Sequence, residues 1–182
     1  MTVVLITGGA NGIGAAVARR FAADDAHVVV AEVEEQAGTT LAEEIGGLFV
    51  RTDVSSEADN EAAVRAALST YGGLDVVHLN AGTGGAGGLD DLDVDRYRRT
   101  PAVNVDGTVF GLRAAYPALR DTGGGAIVVT SSLAGISPAA FDPPCIRRRN
   151  TRSSASCVRS RPDGKKQGSR STPSARASSR RA

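Results

Sequence analysis

Five short apolar runs alternate with stretches of helical period in the first part of this chain. The runs are Val3–Ile6, His27–Ala31, Leu48–Arg51, Leu74–Leu79 and Ala126–Thr130. Between them lie helical patterns at Ala15–Phe21, Glu35–Ile45, Ser55–Tyr71 and Val94–Leu119. A strand that is apolar on both sides needs cover on both faces, and strands separated by helices pair in parallel through right-handed crossovers. The expected fold is therefore α/β, a Rossmann-like doubly wound parallel sheet of strand order 3-2-1-4-5. Ser55, with Glu57 and Asp59, is expected to open the third helix as a capping hydroxyl followed by first-turn acids. Gly72-Gly73 stops that helix, and Gly123-Gly124-Gly125 stops the long one.

The first strand runs straight into Thr7-Gly8-Gly9-Ala10-Asn11-Gly12-Ile13-Gly14 and then into a helix. Backbone N–H groups at a helix N-terminus lack intrahelical partners and sit at the positive end of the helix dipole, which suits a pyrophosphate. Glycines let the backbone turn tightly and approach such a ligand. The turn thus proposes a dinucleotide site. Glu32 ends the second strand, where a carboxylate can accept from both ribose hydroxyls of NAD and repels the 2′-phosphate of NADP. No Arg or Lys stands at Gly9, Ala10 or Asn11 to offset that repulsion. NAD is the expected cofactor, ahead of NADP.

At Cys145 the pattern stops. From there to the end the chain carries ten Arg, two Lys and one acid, a net charge of +11, against −10 for the rest. This stretch is rich in Arg, Ser and Pro and has almost no aliphatic residues, so it buries too little apolar surface to offset its ordering entropy. It reads as a disordered basic tail over residues 145–182 behind a domain at residues 1–144. Clustered Arg can neutralise nucleic-acid phosphates, but the tail lacks interleaved aromatics, so nucleic acid is not an expected partner. No charged n-region precedes the first apolar run, and no run approaches membrane-spanning length, so no membrane partner is expected. The two cysteines, Cys145 and Cys157, have neither disulfide-scaffold nor metal-ligand spacing. A cytoplasmic protein without a metal is expected. His78 reads as a strand histidine of the core.

Together these residues resemble the short-chain dehydrogenase/reductase family, over about residues 2–144. The glycine turn, with Thr7, Gly8, Asn11, Gly12, Ile13 and Gly14, is similar to that family's cofactor loop. Asp53-Val54 resembles its adenine contact, and Asn80-Ala81-Gly82 the motif that steadies the sheet beside the cofactor. Asn104 matches a helix asparagine that orders a proton-relay water. Ser132 matches the serine that hydrogen-bonds the substrate carbonyl. The resemblance implies an NAD(P)-dependent oxidoreductase that interconverts a small-molecule alcohol and carbonyl. It also implies homo-oligomers formed through the family's fourth and fifth helices.

The resemblance breaks where the family places a tyrosine and, four residues later, a lysine. The tyrosine exchanges a proton with the substrate oxygen, and the lysine lowers its pKa. Near the expected position stands Cys145, followed by Ile146-Arg147-Arg148-Arg149, and no tyrosine follows Tyr116. A shifted reading frame explains this. Cys145 with Ile146 can then encode tyrosine, and Arg149 with Asn150 lysine, four steps on. Residues 170–177 permit a later Val-Asn-Ala-Val-Cys-Pro-Gly. The expectation is a C-terminally incomplete dehydrogenase domain with an out-of-frame tail, impaired as an enzyme. The family's fifth helix would begin at the break, which counts against an oligomer here. The alternative is a non-catalytic dinucleotide-binding protein. A second departure is Pro101, expected to bend or restart the long helix and to displace Asn104.

Overall fold

The computed structural model describes residues 1–88 and 90–132, together with the backbone of 158–160. Its elements are β1 (Val3–Thr7), α1 (Gly12–Ala23), β2 (His27–Glu32), α2 (Glu35–Ile45), β3 (Leu48–Arg51), α3 (Glu57–Tyr71) and β4 (Val76–Leu79). There follow α4 (Val94–Pro101), a π-helical turn (Ala102–Asp106), α5 (Gly107–Asp121), β5 (Gly125–Val129) and β6 (Val158–Ser160). The sheet order is β3-β2-β1-β4-β5-β6. The first five strands run in parallel in the expected order, with Leu5 opposite Val29 and Val77, and Val77 opposite Ile127. β6 adds an antiparallel edge, with Val158 opposite Ile127 and Ser160 opposite Gly125. It falls inside the stretch expected to be disordered; the rest of that stretch lies outside the described residues.

Side chains alternate along each strand, so each face of the sheet collects its own core. Val3, Leu5, Val29, Ala31, Val77, Leu79 and Ile127 pack with Ala63, Val64 and Ala67 of α3 and with Ala115 and Leu119 of α5. Val4, Ile6, Val28 and Val30 pack on the other face with Ala15 and Ala18 of α1 and Leu41 and Ala42 of α2. This layering leaves the C-terminal ends of β1, β2 and β4 together at one edge of the molecule, where open α/β sheets hold ligands.

One local expectation is corrected. Ser56, not Ser55, caps α3: its hydroxyl accepts from the Asp59 N–H. Ser55 is drawn instead to Asp53, donating from both its N–H (3.0 Å) and its hydroxyl (2.6 Å) to one carboxylate oxygen. The long helix is restarted at Pro101, as expected. Pro101 ends α4, the Ala102 N–H reaches back to the Arg99 carbonyl, and a π-helical turn joins α4 to α5. Proline cannot donate the helical bond its position requires, so the ladder re-forms in a different register. Asn104, within that turn, is buried at 1 % exposure.

His78 of β4 is the core histidine the sequence suggested, and burial holds its imidazole below its ordinary pKa. The unfolded chain takes up a proton near pH 6.5 that the folded protein refuses, so stability falls as pH drops below about 6.5. The limiting slope for one such group is about 1.4 kcal/mol per pH unit. Urea unfolding at pH 7.5 and at pH 5.5 measures the loss. His78→Gln is expected to reduce it, and an equal loss in both proteins contradicts the assignment.

Candidate functional site

A cleft of about 770 Å³ opens at the C-terminal ends of the strands. Gly8, Asn11 and Gly12 line it from the β1–α1 turn, Glu32 from β2, Asp53 and Val54 from the segment after β3, and Asn80, Ala81 and Gly82 from the segment after β4. These nine residues were singled out from the sequence, and the fold brings them to one wall-to-wall site.

The β1–α1 turn is shaped by Gly8. Its φ is +60°, and a Cβ there would lie 2.8 Å from the Ala81 Cα, so only glycine fits. Gly14 packs directly on the Gly8 carbonyl and beside the Asn80 amide. Asn11 is the N-cap residue of α1, but no side chain caps this helix and its first turn carries no acid. By contrast Ser56 and Asp93 cap α3 and α4. α1 therefore begins at the cleft, which Gly12 lines, with no side-chain cap and no first-turn acid to occupy its free N–H groups, an arrangement that suits a pyrophosphate. Ile13, in that first turn, is 62 % exposed.

Thr7 and Asn80 tie the strand ends together. The buried Thr7 hydroxyl oxygen accepts from the N–H groups of Asn80 (3.0 Å) and Ala81 (3.2 Å). The Asn80 amide donates to the Gly8 carbonyl at 3.0 Å and accepts from the Thr130 hydroxyl at 3.1 Å. One side chain thus links the ends of β1, β4 and β5.

Glu32 is nearly buried, and its carboxylate accepts from the N–H groups of Val33 (2.8 Å), Glu34 (3.3 Å) and Ala10 (3.3 Å). It therefore braces the glycine turn as well as lining the cleft. At Asp53 the Ser55 hydroxyl, aided by the Ser55 N–H and the charges of Arg99 and Arg51, holds the carboxyl below the usual range against the opposing effect of burial. Its second oxygen lies 4.0 Å from the Arg99 guanidinium.

Asn104 and Ser132 stand apart from this wall. The Asn104 amide donates to the Thr83 carbonyl and accepts from the Thr83 N–H, both at 2.7 Å, pinning the chain after Gly82. Ser132 follows β5 at the end of a described stretch, half-buried, and does not line the cleft. The positions expected to carry a tyrosine and lysine, 145 and 149, lie outside the described residues. Among the described residues no group of three or more His, Cys, Asp or Glu could hold a metal ion. No helix among them is long and apolar enough to cross a membrane.

The sequence reading missed the wall supplied by α4. Asp93, Asp95, Arg96 and Arg99 all line the cleft. Asp93 caps α4 by accepting from the Arg96 N–H, and Arg96 donates to the Gly85 carbonyl at 3.3 Å. Asp93 ahead of the helical pattern was a legible capping residue. The side that α4 turns to the cleft was not legible, because Pro101 obscured the helix register.

Residues 2–144 match the family model described as short chain dehydrogenase. Short-chain dehydrogenase reductase ATA1 of Arabidopsis thaliana is 46 % identical over 136 residues, which is 74 % of this chain and 50 % of that protein. Trans-4-hydroxycyclohexanecarboxylate dehydrogenase of Sinomonas cyclohexanicum is 41 % identical over 145 residues, 74 % of this chain and 56 % of that one. The chain thus spans about half the length of these relatives. The crystal structure of 3-ketoacyl-(acyl-carrier-protein) reductase from Brucella melitensis complexed with NADH superposes with a TM-score of 0.77 at 30 % identity. That match covers 82 % of this chain and 64 % of that one.

Proposed function

The chain belongs to the short-chain dehydrogenase family, and we propose that its cleft is a dinucleotide site that takes NAD in preference to NADP. The observation that carries this reading is the uncapped, glycine-shaped N-terminus of α1 opening onto the same cleft as Glu32 and Asp53. In this reading the N–H groups of the first turn of α1 hold the pyrophosphate. Glu32 meets the adenosine ribose, and Asp53 with Val54 meets the adenine edge. Asn80, Ala81 and Gly82 form the floor, and Asn80 keeps the turn in place. The bound nicotinamide supplies the group that exchanges a hydride with an alcohol or carbonyl.

The chemistry this lineage performs is alcohol oxidation or carbonyl reduction. Ser132 is assigned to the substrate oxygen and Asn104 to ordering the path of its proton. Asn104 does so here while anchored to Thr83, so its side chain acts first on the loop. The step needs a positioned acid/base. With Cys145 and Arg149 at the positions expected for tyrosine and lysine, the proposal for this chain is a cofactor-binding domain with impaired turnover. The same observation favours the second reading, a dinucleotide-binding protein without catalysis. Assay of NAD reduction with a panel of alcohols separates the two.

Glu32→Ala tests the cofactor assignment. The substitution removes an acceptor from three backbone N–H groups, so affinity for either dinucleotide falls. The ratio is the diagnostic quantity. Losing a charge-assisted contact made only to NAD, and a repulsion felt only by NADP, is expected to narrow the NAD/NADP preference by about tenfold or more. Titration calorimetry with both dinucleotides measures it. Equal affinities in the unsubstituted protein remove the argument.

A further inference from the structure

We infer that His78 and Thr130 are positioning residues for the dinucleotide site, acting through Asn80 on the carbonyl of Gly8. This inference rests on the cofactor reading of the cleft. Four groups form a continuous chain. His78 Nε2 lies 2.8 Å from the Thr130 hydroxyl oxygen. That hydroxyl donates to Asn80 Oδ1 at 3.1 Å, and Asn80 Nδ2 donates to the Gly8 carbonyl at 3.0 Å.

The direction of each bond follows from the chemistry of its members. A hydroxyl has one hydrogen, and that of Thr130 is used on Asn80. His78 Nε2 must therefore carry the hydrogen and donate to Thr130. Nδ1 is then a bare acceptor, and it has no hydrogen-bond partner among the described residues. Burial, which disfavours the charged imidazolium, keeps the ring in this neutral form. The donated hydrogen from His78 fixes the direction of the Thr130 hydroxyl. The hydroxyl in turn fixes which end of the Asn80 amide faces the turn. Turning the Asn80 amide over would set its oxygen against the Gly8 carbonyl and its N–H groups against the Thr130 hydroxyl hydrogen, so the two neighbours together hold one orientation.

The target of the chain matters because the Gly8 carbonyl is also the surface on which Gly14 packs. The orientation of that peptide sets where the first turn of α1 begins. The N–H groups proposed to hold the pyrophosphate lie in that turn. His78 stands within the sheet and does not line the cleft, so its effect reaches the ligand only through the chain.

Thr130→Val keeps the volume and removes the hydroxyl, while Thr130→Ser keeps the hydroxyl. NAD affinity by titration calorimetry and amide exchange of residues 8–14 without ligand are the two readouts. Thr130→Val is expected to weaken NAD binding about tenfold and to speed exchange in the turn. Thr130→Ser is expected to stay near the parent protein in both. If Thr130→Val does not fold, His78→Leu is expected to shift both readouts in the same direction, with His78→Gln returning them. Parent-like affinity and exchange in Thr130→Val, or a Thr130→Ser protein as impaired as Thr130→Val, overturns the inference. A parent protein that binds no NAD overturns the cofactor reading instead; exchange in the turn then still decides whether the chain of hydrogen bonds orders it.

Discussion

Purified 182-residue protein is expected to oxidise simple alcohols with NAD about 10²–10⁴-fold more slowly than the same protein with its proposed frame restored. The factor is what a positioned acid/base contributes when the substrate oxygen gains or loses its proton. Ser132 and Asn104 remain in the chain, but a serine hydroxyl and an amide do not titrate near neutrality. In the proposed frame, codons 145–146 can encode tyrosine and codons 149–150 lysine. Restoring the frame is also expected to raise solubility. Val128, in β5, is 44 % exposed, an apolar side chain on a sheet that would ordinarily be covered on both faces. Steady-state NADH formation with the two purified proteins measures the difference. Turnover of the 182-residue chain at an ordinary enzyme rate, about 1–10³ s⁻¹, means that another group does the proton transfer. The gene provides an independent check: bases at codons 145–150 that cannot encode the tyrosine and lysine end the frameshift explanation.

Gly14→Ala is expected to destabilise the fold by about 1–3 kcal/mol, the cost of forcing a methylene into a packed site. It is also expected to weaken NAD binding by tenfold or more. A Cβ at Gly14 would run into the Gly8 carbonyl and approach Asn80 Nδ2 to 2.8 Å, so it presses on the pair that fixes the turn. Gly12→Ala is the instructive contrast. A Cβ there meets nothing within 4 Å, but φ is +52°, so the cost is backbone strain alone, about 1 kcal/mol. Urea midpoints rank the two, and calorimetry reads the affinity. A Gly14→Ala protein as stable and as tight-binding as the parent would mean that the turn relaxes where packing says it cannot.

Much of this was legible because periodicity and glycine placement are local properties. The strand order, both core faces and the wall built from Gly8, Gly12, Glu32, Asp53 and Asn80 follow from five apolar runs and their C-terminal turns. What escaped was set by partners distant in sequence. Ser55 had the right residue type for a helix cap, but Asp53 claims it, and Ser56 takes the role. His78 was readable as a core histidine, but its link to Thr130 depends on β4 and β5 being neighbours. The α4 wall depended on how Pro101 is accommodated.

That accommodation has a geometric consequence. Thr100, Asn104, Ala115 and Leu119 are buried along this segment, with Gly107 and Gly111 buried between them. From Thr100 to Leu119 is 19 positions, where five ideal α-helical turns span about 18. The π-helical turn absorbs the additional residue, bonding the Gly107 N–H to the Ala102 carbonyl. It acts as a phase shifter between α4 and α5. Upstream, the phase turns Arg96 and Arg99 to the cleft; downstream, it turns Gly111 and Ala115 to the sheet. Deleting one residue between 102 and 106 would restore an α-helical ladder there and rotate one half by about 100° relative to the other. The cleft wall and the core would then compete for the same face, so length at this joint is constrained even where side-chain identity is not.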